Sequence, residues 1–449
     1  MAIEFGLSDF LQPAAVFGLR REFERNPWLE PEEFAQWQRQ RLERIVRHAY
    51  AHVPYYTRLF DESGLAPADI RGPEELARLP LLSKSIVLER LDDLCAEGLG
   101  AFRPLRMQTS GSSGRRMSFY LDRRTNSLEF VYYWRYWNAA GYRLGDLFAE
   151  FTSEFYLRER REDRLIHRQR LAGRLLLNSL LLSRESARLF FHCIKDGGAR
   201  FLKGLPSVLH HFSLLLRDER LGILPLRAVF STGETLLPHQ RRAIEAAFAC
   251  KVYDSYGHME RVVAAAECPS GGLHVNSDYG ILEIVDKAPL PDEDGARGRW
   301  RGRIVGTSLH NLGMPFLRYD TGDVAEGDLA CDAPCPCGRR FPRLRRVLGR
   351  QEDVVVTADG RVAATLFLVF NDAPGLRAGQ IVQEDLARLR VRVVKAADWS
   401  PGADAGLAAR IRRHVGEAFT IEIEHVAEGE LLAPGRKFKA VVSRVSAGP

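Results

Sequence analysis

Four short β-type runs constrain this chain most: LRAVFST at 226–232, KVYDSYG at 251–257, ILEIVD at 281–286 and GRIVGTSL at 302–309. A helical-type stretch lies between the first two. Apolar runs of strand length alternating with helical sequence predict a large α/β body. Polar, glycine-bearing clusters accompany the runs. Ser231-Thr232-Gly233-Glu234 ends the first and Tyr256-Gly257-His258-Met259-Glu260 ends the second. Arg318-Tyr319-Asp320-Thr321-Gly322-Asp323 and Gly349-Arg350-Gln351-Glu352-Asp353 come later. In α/β folds ligands bind at such strand ends.

The 449 residues predict two to three domains and a sizeable core. With 45% hydrophobic and 27% charged residues, neither a disordered tail nor a membrane protein is expected. The formal charge is 64 − 58 = +6, too mild to imply nucleic acid without clustering on one face. The start lacks a basic segment ahead of an apolar run. The most apolar stretch, LLLNSLLL at 175–182, is broken by Asn178 and flanked by arginines, so a cytoplasmic protein without membrane insertion is expected. Seven cysteines, an odd number, argue against a disulfide framework.

The first hundred residues read as helical. Phe34, Trp37, Leu42, Ile45, Val46, Ala49 and Val53 recur at helical spacing behind Pro31, while VPYYTRLF at 53–60 reads as an irregular connection. From residue 101 the texture is mixed: LRMQTSGSSGRRMSFYL reads as strand, loop, strand. The arginine-rich stretch 156–174 reads as a solvated helix with charges of both signs. A boundary is expected near GRQEDVV. This divides the chain into a body at 1–349, with its helical start at 1–100, and a small α+β domain at 353–449. There LARLRVRVVKA, IEIEHV and KFKAVVSRV alternate like strands and AGLAARIRRHVGEAF is periodic like a helix.

The loop Thr109-Ser110-Gly111-Ser112-Ser113-Gly114 offers hydroxyls, N–H groups and close backbone approach, all of which suit phosphate oxygens, and Arg115 and Arg116 follow. It lacks the Gly-Lys-Ser/Thr ending of a Walker loop. The carboxylates near glycine in the later clusters suit ribose hydroxyls and Mg²⁺. Cys335-x-Cys337, followed by Gly338, and Cys268-Pro-Ser-Gly-Gly-Leu-His274 supply three thiolates and an imidazole, fit for tetrahedral structural zinc in an insert at 268–340. Cys331 is a spare candidate, reduced structural cysteines are the competing reading, and Cys95, Cys193 and Cys250 are expected in the core.

In this order, TSGSSG, STGE, YGHME, RYDTGD, GRQED and a C-terminal lysine, the chain resembles the adenylate-forming (acyl-CoA synthetase-like) superfamily. The stretches QRLERIVRHAYAHVPYYTRLF…LPLLSK, CPCGRR and KFKAVVSRV make it most similar to the phenylacetate–CoA ligase and CapK-like branch. The resemblance covers nearly the whole chain. It implies a large N-terminal α/β body of adenylate-forming type and a small mobile α+β C-terminal domain. It also implies ATP, Mg²⁺ and, in this branch, a zinc site. By that resemblance the 109–114 loop grips the ATP phosphates, Gly233, Glu234 and Gly257 belong to the nucleotide site, and Tyr256 lies against adenine with Asp254 near its amino group. Glu260 holds Mg²⁺, Asp323 with Arg350 binds ribose, and Glu352 stands at a hinge at 350–352. The chain has eight lysines, and Lys437 and Lys439 are the two near its C-terminus. The family's Gly-Lys context fits Lys437 best, with Lys439 in reserve. Met259, where the family has Ser or Thr, and Arg436, where glycine is usual, depart from the pattern.

The expected reaction is activation of a carboxylic acid to an acyl-adenylate and transfer to a nucleophile, foremost the coenzyme A thiol. An amine or a carrier-protein thiol are alternative acceptors. Phe212, Phe230 and Tyr253 are aromatic candidates for an aryl or apolar acid pocket. Two readings of another class compete. One is a zinc-containing nucleic-acid-binding protein using 156–174 and the arginines beside CPCG. The other is a catalytically dead nucleotide-binding relative.

Overall fold

The computed structural model describes residues 13–445 except 109–116, 144, 154, 157–158, 162, 170–172, 293–296, 351–354, 358–361, 364–365, 371–372 and 432–437. The chain forms two compact units. One gathers the stretch up to Gly141 with Ser255–Val347. The other gathers Tyr142–Asp254 with the stretch from Leu348 onward.

The first unit opens on helices α1 (Pro13–Arg25), α2 (Pro31–His52) and α3 (Pro54–Glu62). Pro31 and Pro54 each begin a helix, where the missing N–H costs nothing. Residues 54–60 are therefore helical rather than the irregular connection expected: Val53 leaves helical geometry at φ −119° and Pro54 restarts it. α2 buries Leu42, Ile45, Val46 and Ala49, as its spacing predicts. Strands β1 (Leu105–Gln108) and β2 (Ser118–Leu121) pair antiparallel. Helix α4 (Arg123–Ala139) follows, its first turn capped by Asp122, which accepts from the Thr125 N–H at 2.6 Å.

The second unit then takes β3 (Phe148–Thr152), β4 (Ile166–Gln169), β5 (Arg174–Asn178), α5 (Arg184–Asp196), β6 (Phe201–Gly204), α6 (Pro206–Asp218), β7 (Ala228–Thr232) and α7 (Pro238–Phe248). The strand order is β7-β6-β3-β5-β4, parallel except for β4 at the edge. This corrects the helical reading of 156–174. Gly173, at φ +61°, precedes β5, so Ile166–Gln169 can pair back against Arg174–Leu177. Sheet pairing outweighs a charge pattern that would equally suit a helix face. Phe151, Leu202 and Val229 meet Phe190, Leu209, Phe212 and Ile244 in this unit's core.

Strand β8 (Val252–Gly257) runs through the division between the units, and its last three residues pair antiparallel with β9 (Ala264–Glu267). β10 (Leu273–Val275) continues the pairing. β11 (Gly280–Pro289), β12 (Trp300–Ser308) and β13 (Tyr319–Gly327) make an antiparallel sheet. β14 (Arg346–Arg350) leads into the second unit again. There β15 (Leu376–Gln383), β16 (Arg388–Lys395), α8 (Ala403–Val415), β17 (Thr420–His425), α9 (Glu428–Leu431) and β18 (Val441–Ser443) form an α+β module with strand order β17-β16-β15-β18. Leu407, Ile411 and Val415 of α8 pack on Ile381, Val391 and Val393. Among the described residues no helix is long and apolar enough to cross a membrane.

Candidate active site

In the first unit, the end of β8 and the start of β13 bring two of the sequence clusters together. The Tyr256 hydroxyl donates to Asp323 Oδ2 at 2.8 Å. Burial foremost, and then the Asp323 charge, push the Tyr256 phenol well above its ordinary pKa, so it stays a donor. Glu260 is buried, which raises a carboxyl pKa. Its bonds to His258 Nδ1 at 3.1 Å and from the Tyr319 hydroxyl at 3.0 Å outweigh that and bring it down to about 2. A buried carboxylate held ionised fits a hard divalent cation.

The backbone around these groups is pinned. Arg318 stands at φ +50°, with its guanidinium paired to Glu283 at 3.0 Å and its N–H given to Thr307 Oγ1 at 2.9 Å. Gly322, at φ +72°, gives its N–H to Asp320 Oδ1 at 3.0 Å, and Asp323 gives its own to Thr321 Oγ1 at 3.1 Å. Met259 packs against the core of the unit. Tyr319, for which the sequence pattern predicts no role, orients Glu260 together with His258. Its place beside Asp320 in RYDTGD was the available signal.

In the second unit, Gly233 turns at φ +85° after β7. Glu234 then accepts two backbone N–H groups, from Ser207 at 3.0 Å and Phe438 at 2.9 Å. Ser231 donates to Asp254 Oδ1 at 2.6 Å. Gly349 stands at φ +94° just before Arg350 closes β14. Thr109, Ser110, Gly111, Ser112, Ser113, Gly114, Glu352 and Lys437 lie outside the described residues. The main-chain carbonyl of Lys439 accepts from Gln380 Nε2 at 2.9 Å.

The three aromatic candidates part company. Phe230 and Tyr253 have ring centroids 6.0 Å apart, and Phe230 lies parallel to Phe148 at 5.6 Å. Phe212 instead packs in the helix-covered core at 5.1 Å from Phe151 and 6.0 Å from Phe248. Strand alternation sends Phe148 and Phe151 to opposite faces of the sheet, which removes Phe212 as a pocket candidate.

Cys268, His274, Cys335 and Cys337 converge, their donor atoms all within 4.8 Å of one another. Cys268 and Cys335 sulfurs are 3.7 Å apart, and Cys337 Sγ lies 3.4 Å from His274 Nε2. A zinc tetrahedron with bonds of about 2.3 Å has edges near 3.8 Å, so the donors fit that ion. His274 Nδ1 bonds to the Phe341 carbonyl at 2.8 Å, which directs Nε2 toward the thiols. A side chain at Gly272 would start 2.8 Å from Arg343 Cδ and 3.3 Å from Cys335 Sγ, so glycine leaves room for both beside the cluster. Cys331 is outside this group. Cys95, Cys193 and Cys250 are half-buried at the edges of cores rather than inside them, a correction to the expectation.

No family model matches the chain. Phenylacetate–coenzyme A ligase of Escherichia coli (strain K12) is 40% identical over 350 residues, covering 72% of this chain and 73% of that protein. Protein CapK of Staphylococcus aureus is 21% identical over 374 residues, covering 81% and 79%. Among solved structures, 2-hydroxyisobutyryl–CoA ligase in its postadenylation state with R3-HIB-AMP shares the fold at a TM-score of 0.72. Its identity is 20%, over 93% of this chain and 91% of that one. The 40% identity over more than two thirds of both chains, with the shared sequence motifs, shows that the chain belongs to the phenylacetate–coenzyme A ligase family of adenylate-forming enzymes.

Proposed function

We infer that this ATP-dependent, AMP-forming carboxylate ligase activates an aryl or apolar acid and passes the acyl group to the thiol of coenzyme A. Support for the nucleotide half comes from one observation above all. YGHME and RYDTGD meet, so that ionised Glu260 and the Tyr256–Asp323 pair are carried on adjoining backbone. The relatives called phenylacetate–coenzyme A ligase support the acid and the acceptor.

In the first step a carboxylate oxygen attacks the α-phosphorus of ATP. The new O–P bond replaces the bond to pyrophosphate, which leaves. Thr109–Gly114 bind the phosphates, and Lys437 places its ammonium on the charge that builds between acid and α-phosphate. Asp323 and Arg350 hold the ribose, while Tyr256, Gly257 and Asp254 hold the base. Gly233 and Glu234 close the nucleotide side, Glu234 by fixing Phe438 next to the lysine. Glu260 would hold Mg²⁺, which neutralises phosphate charge when bound. In the second step the thiol sulfur attacks the acyl carbon, its proton is lost and AMP departs. For that step we propose that residues 353–449 swing against 1–349 about Glu352. Cys268, His274, Cys335 and Cys337 are proposed to hold a structural zinc.

The test is acid-dependent exchange of labelled pyrophosphate into ATP over aryl, fatty and amino acids, then thioester formation on adding coenzyme A. Exchange with an aryl acid and a thioester product are expected. Absence of exchange with every acid would overturn the reading. Exchange that yields an amide but no thioester would replace the acceptor.

A further inference from the structure

We propose that Asp218 and His211 on α6, with Arg377 and Glu428 of the C-terminal module, are positioning residues that lock the module in the adenylating arrangement. The proposal rests on the ligase reading above and adds residues to it that touch neither nucleotide nor acid.

The lock is an arginine held between two carboxylates, with a histidine beside one of them. Arg377, at the start of β15, reaches Asp218 Oδ2 at 2.5 Å with one nitrogen and Glu428 Oε1 at 3.1 Å with another. The same Glu428 oxygen lies 2.9 Å from His211 Nδ1. The side chains of Arg377, His211 and Asp218 retain 10%, 15% and 18% exposure, so water screens them little. Asp218 closes a helix of 13 residues at its C-terminal end, where the helix dipole disfavours a carboxylate and rewards a cation brought from elsewhere. Arg377 is that cation, and Arg217, at 3.5 Å, adds to it.

The other end of α6 is tied to the same module. Glu234 accepts the N–H of Ser207 in the first turn and the N–H of Phe438. Ser207 and Asp218 are separated by roughly 16 Å of helix. The module is thus held to α6 at two distant points, which fixes its orientation as one point would not. Strand β15 links them. Arg377 lies near its start, and three residues on, Gln380 holds the Lys439 carbonyl at 2.9 Å. Ile381 gives its N–H to the Ala440 carbonyl at 2.8 Å. Fixing Arg377 therefore fixes the strand that carries the segment after Lys437. If the module swings away, Arg377 and Glu428 leave together still paired, while Asp218 and His211 stay on α6.

The test separates the two half-reactions in Asp218→Asn and His211→Gln, with Arg188→Gln as control. That control removes a surface pair to Glu219 that does not involve the module. Pyrophosphate exchange reads adenylation. Transfer from synthetic acyl-adenylate to coenzyme A reads the second step. Asp218→Asn and His211→Gln are expected to lower exchange roughly 3- to 10-fold while transfer is unchanged or faster, and the control to leave the ratio alone. An unchanged ratio in both variants overturns the lock. Hydrogen exchange at the Phe438–Ala440 amides decides independently of activity: faster exchange in Asp218→Asn supports the lock and wild-type protection sinks it. A wild-type protein inactive with every acid would defeat the ligase reading and leave this measurement to judge the lock.

Discussion

The Tyr256 hydroxyl donates to the Asp323 carboxylate across 67 residues of chain. It joins a strand end of the α/β body to the start of an antiparallel sheet. Each partner is thereby oriented by the other, and in the proposed nucleotide site such preorganised groups would give more binding than free ones. Tyr256→Phe leaves Asp323 without this donor. Losing a hydrogen bond to a charged group costs about 1.5–3 kcal/mol, so KM for ATP in pyrophosphate exchange is expected to rise by roughly 10- to 150-fold. Asp323→Asn is expected to do at least as much. An unchanged KM in both would remove the pair from the nucleotide site.

Lys437 and Lys439 alternate along the chain, so they should separate cleanly. Lys437→Ala is expected to lower pyrophosphate exchange by roughly 10²- to 10³-fold, the usual loss when a charge-stabilising donor is removed. Transfer of preformed acyl-adenylate should be far less affected. Lys439→Ala should stay within a few-fold of wild type on both. The reverse pattern would assign the adenylation role to Lys439.

Metal analysis of the purified protein should find about one zinc per chain. Cys335→Ser should lose it, because three of four donors hold the ion poorly, and should lower the melting temperature by several degrees. Gly272→Ala keeps all four ligands but presses on the Arg343 side chain at 2.8 Å and on Cys335 Sγ at 3.3 Å, and should weaken zinc retention against a chelator. A zinc-free wild type with Cys335→Ser melting unchanged would leave only reduced cysteines at this place.

His310 gives the stability a pH signature. Its Nε2 bonds to the Asp278 carbonyl at 2.8 Å. Burial, with Arg41, Arg124 and Arg44 adding, brings its pKa from 6.5 down to about 4 despite that bond. The folded pKa is the lower one, so the unfolded chain takes up the proton first as pH falls. The contribution is complete above about pH 6.5 and is lost on the way down to pH 4, on the order of 3 kcal/mol. Denaturant melts should fall between pH 7 and 4, with His210, brought down to about 3 by burial, contributing beside His310, and His310→Gln should make the fall shallower. A variant with the wild-type slope would assign the loss to other groups.

Much of this protein is legible along the chain. Helix α2, the body's short strands and the C-terminal α+β module follow from apolar periodicity, because burial repeats at 3.6 or 2 residues whatever the partner. The clusters at 231–234 and 256–260 mark the ends of strands and 318–323 the first half of one, where glycine and acidic residues, poor strand formers, are concentrated. The cysteine and histidine spacings point to four particular donors. What spacing cannot carry is the partner across the fold. The charge pattern at 156–174 suits a helix face as well as an edge strand, and β5 decided for the strand. Phe212 and Phe230 look alike in sequence, and the two faces of one sheet separated them. That Tyr319 orients Glu260, that Tyr256 meets Asp323 and that Glu234 ties Ser207 to Phe438 are matters of long-range packing. Local sequence determines element type and residue chemistry. Only the tertiary structure chose which distant groups share a hydrogen bond, because that choice is set by how sheets and helices close on their cores.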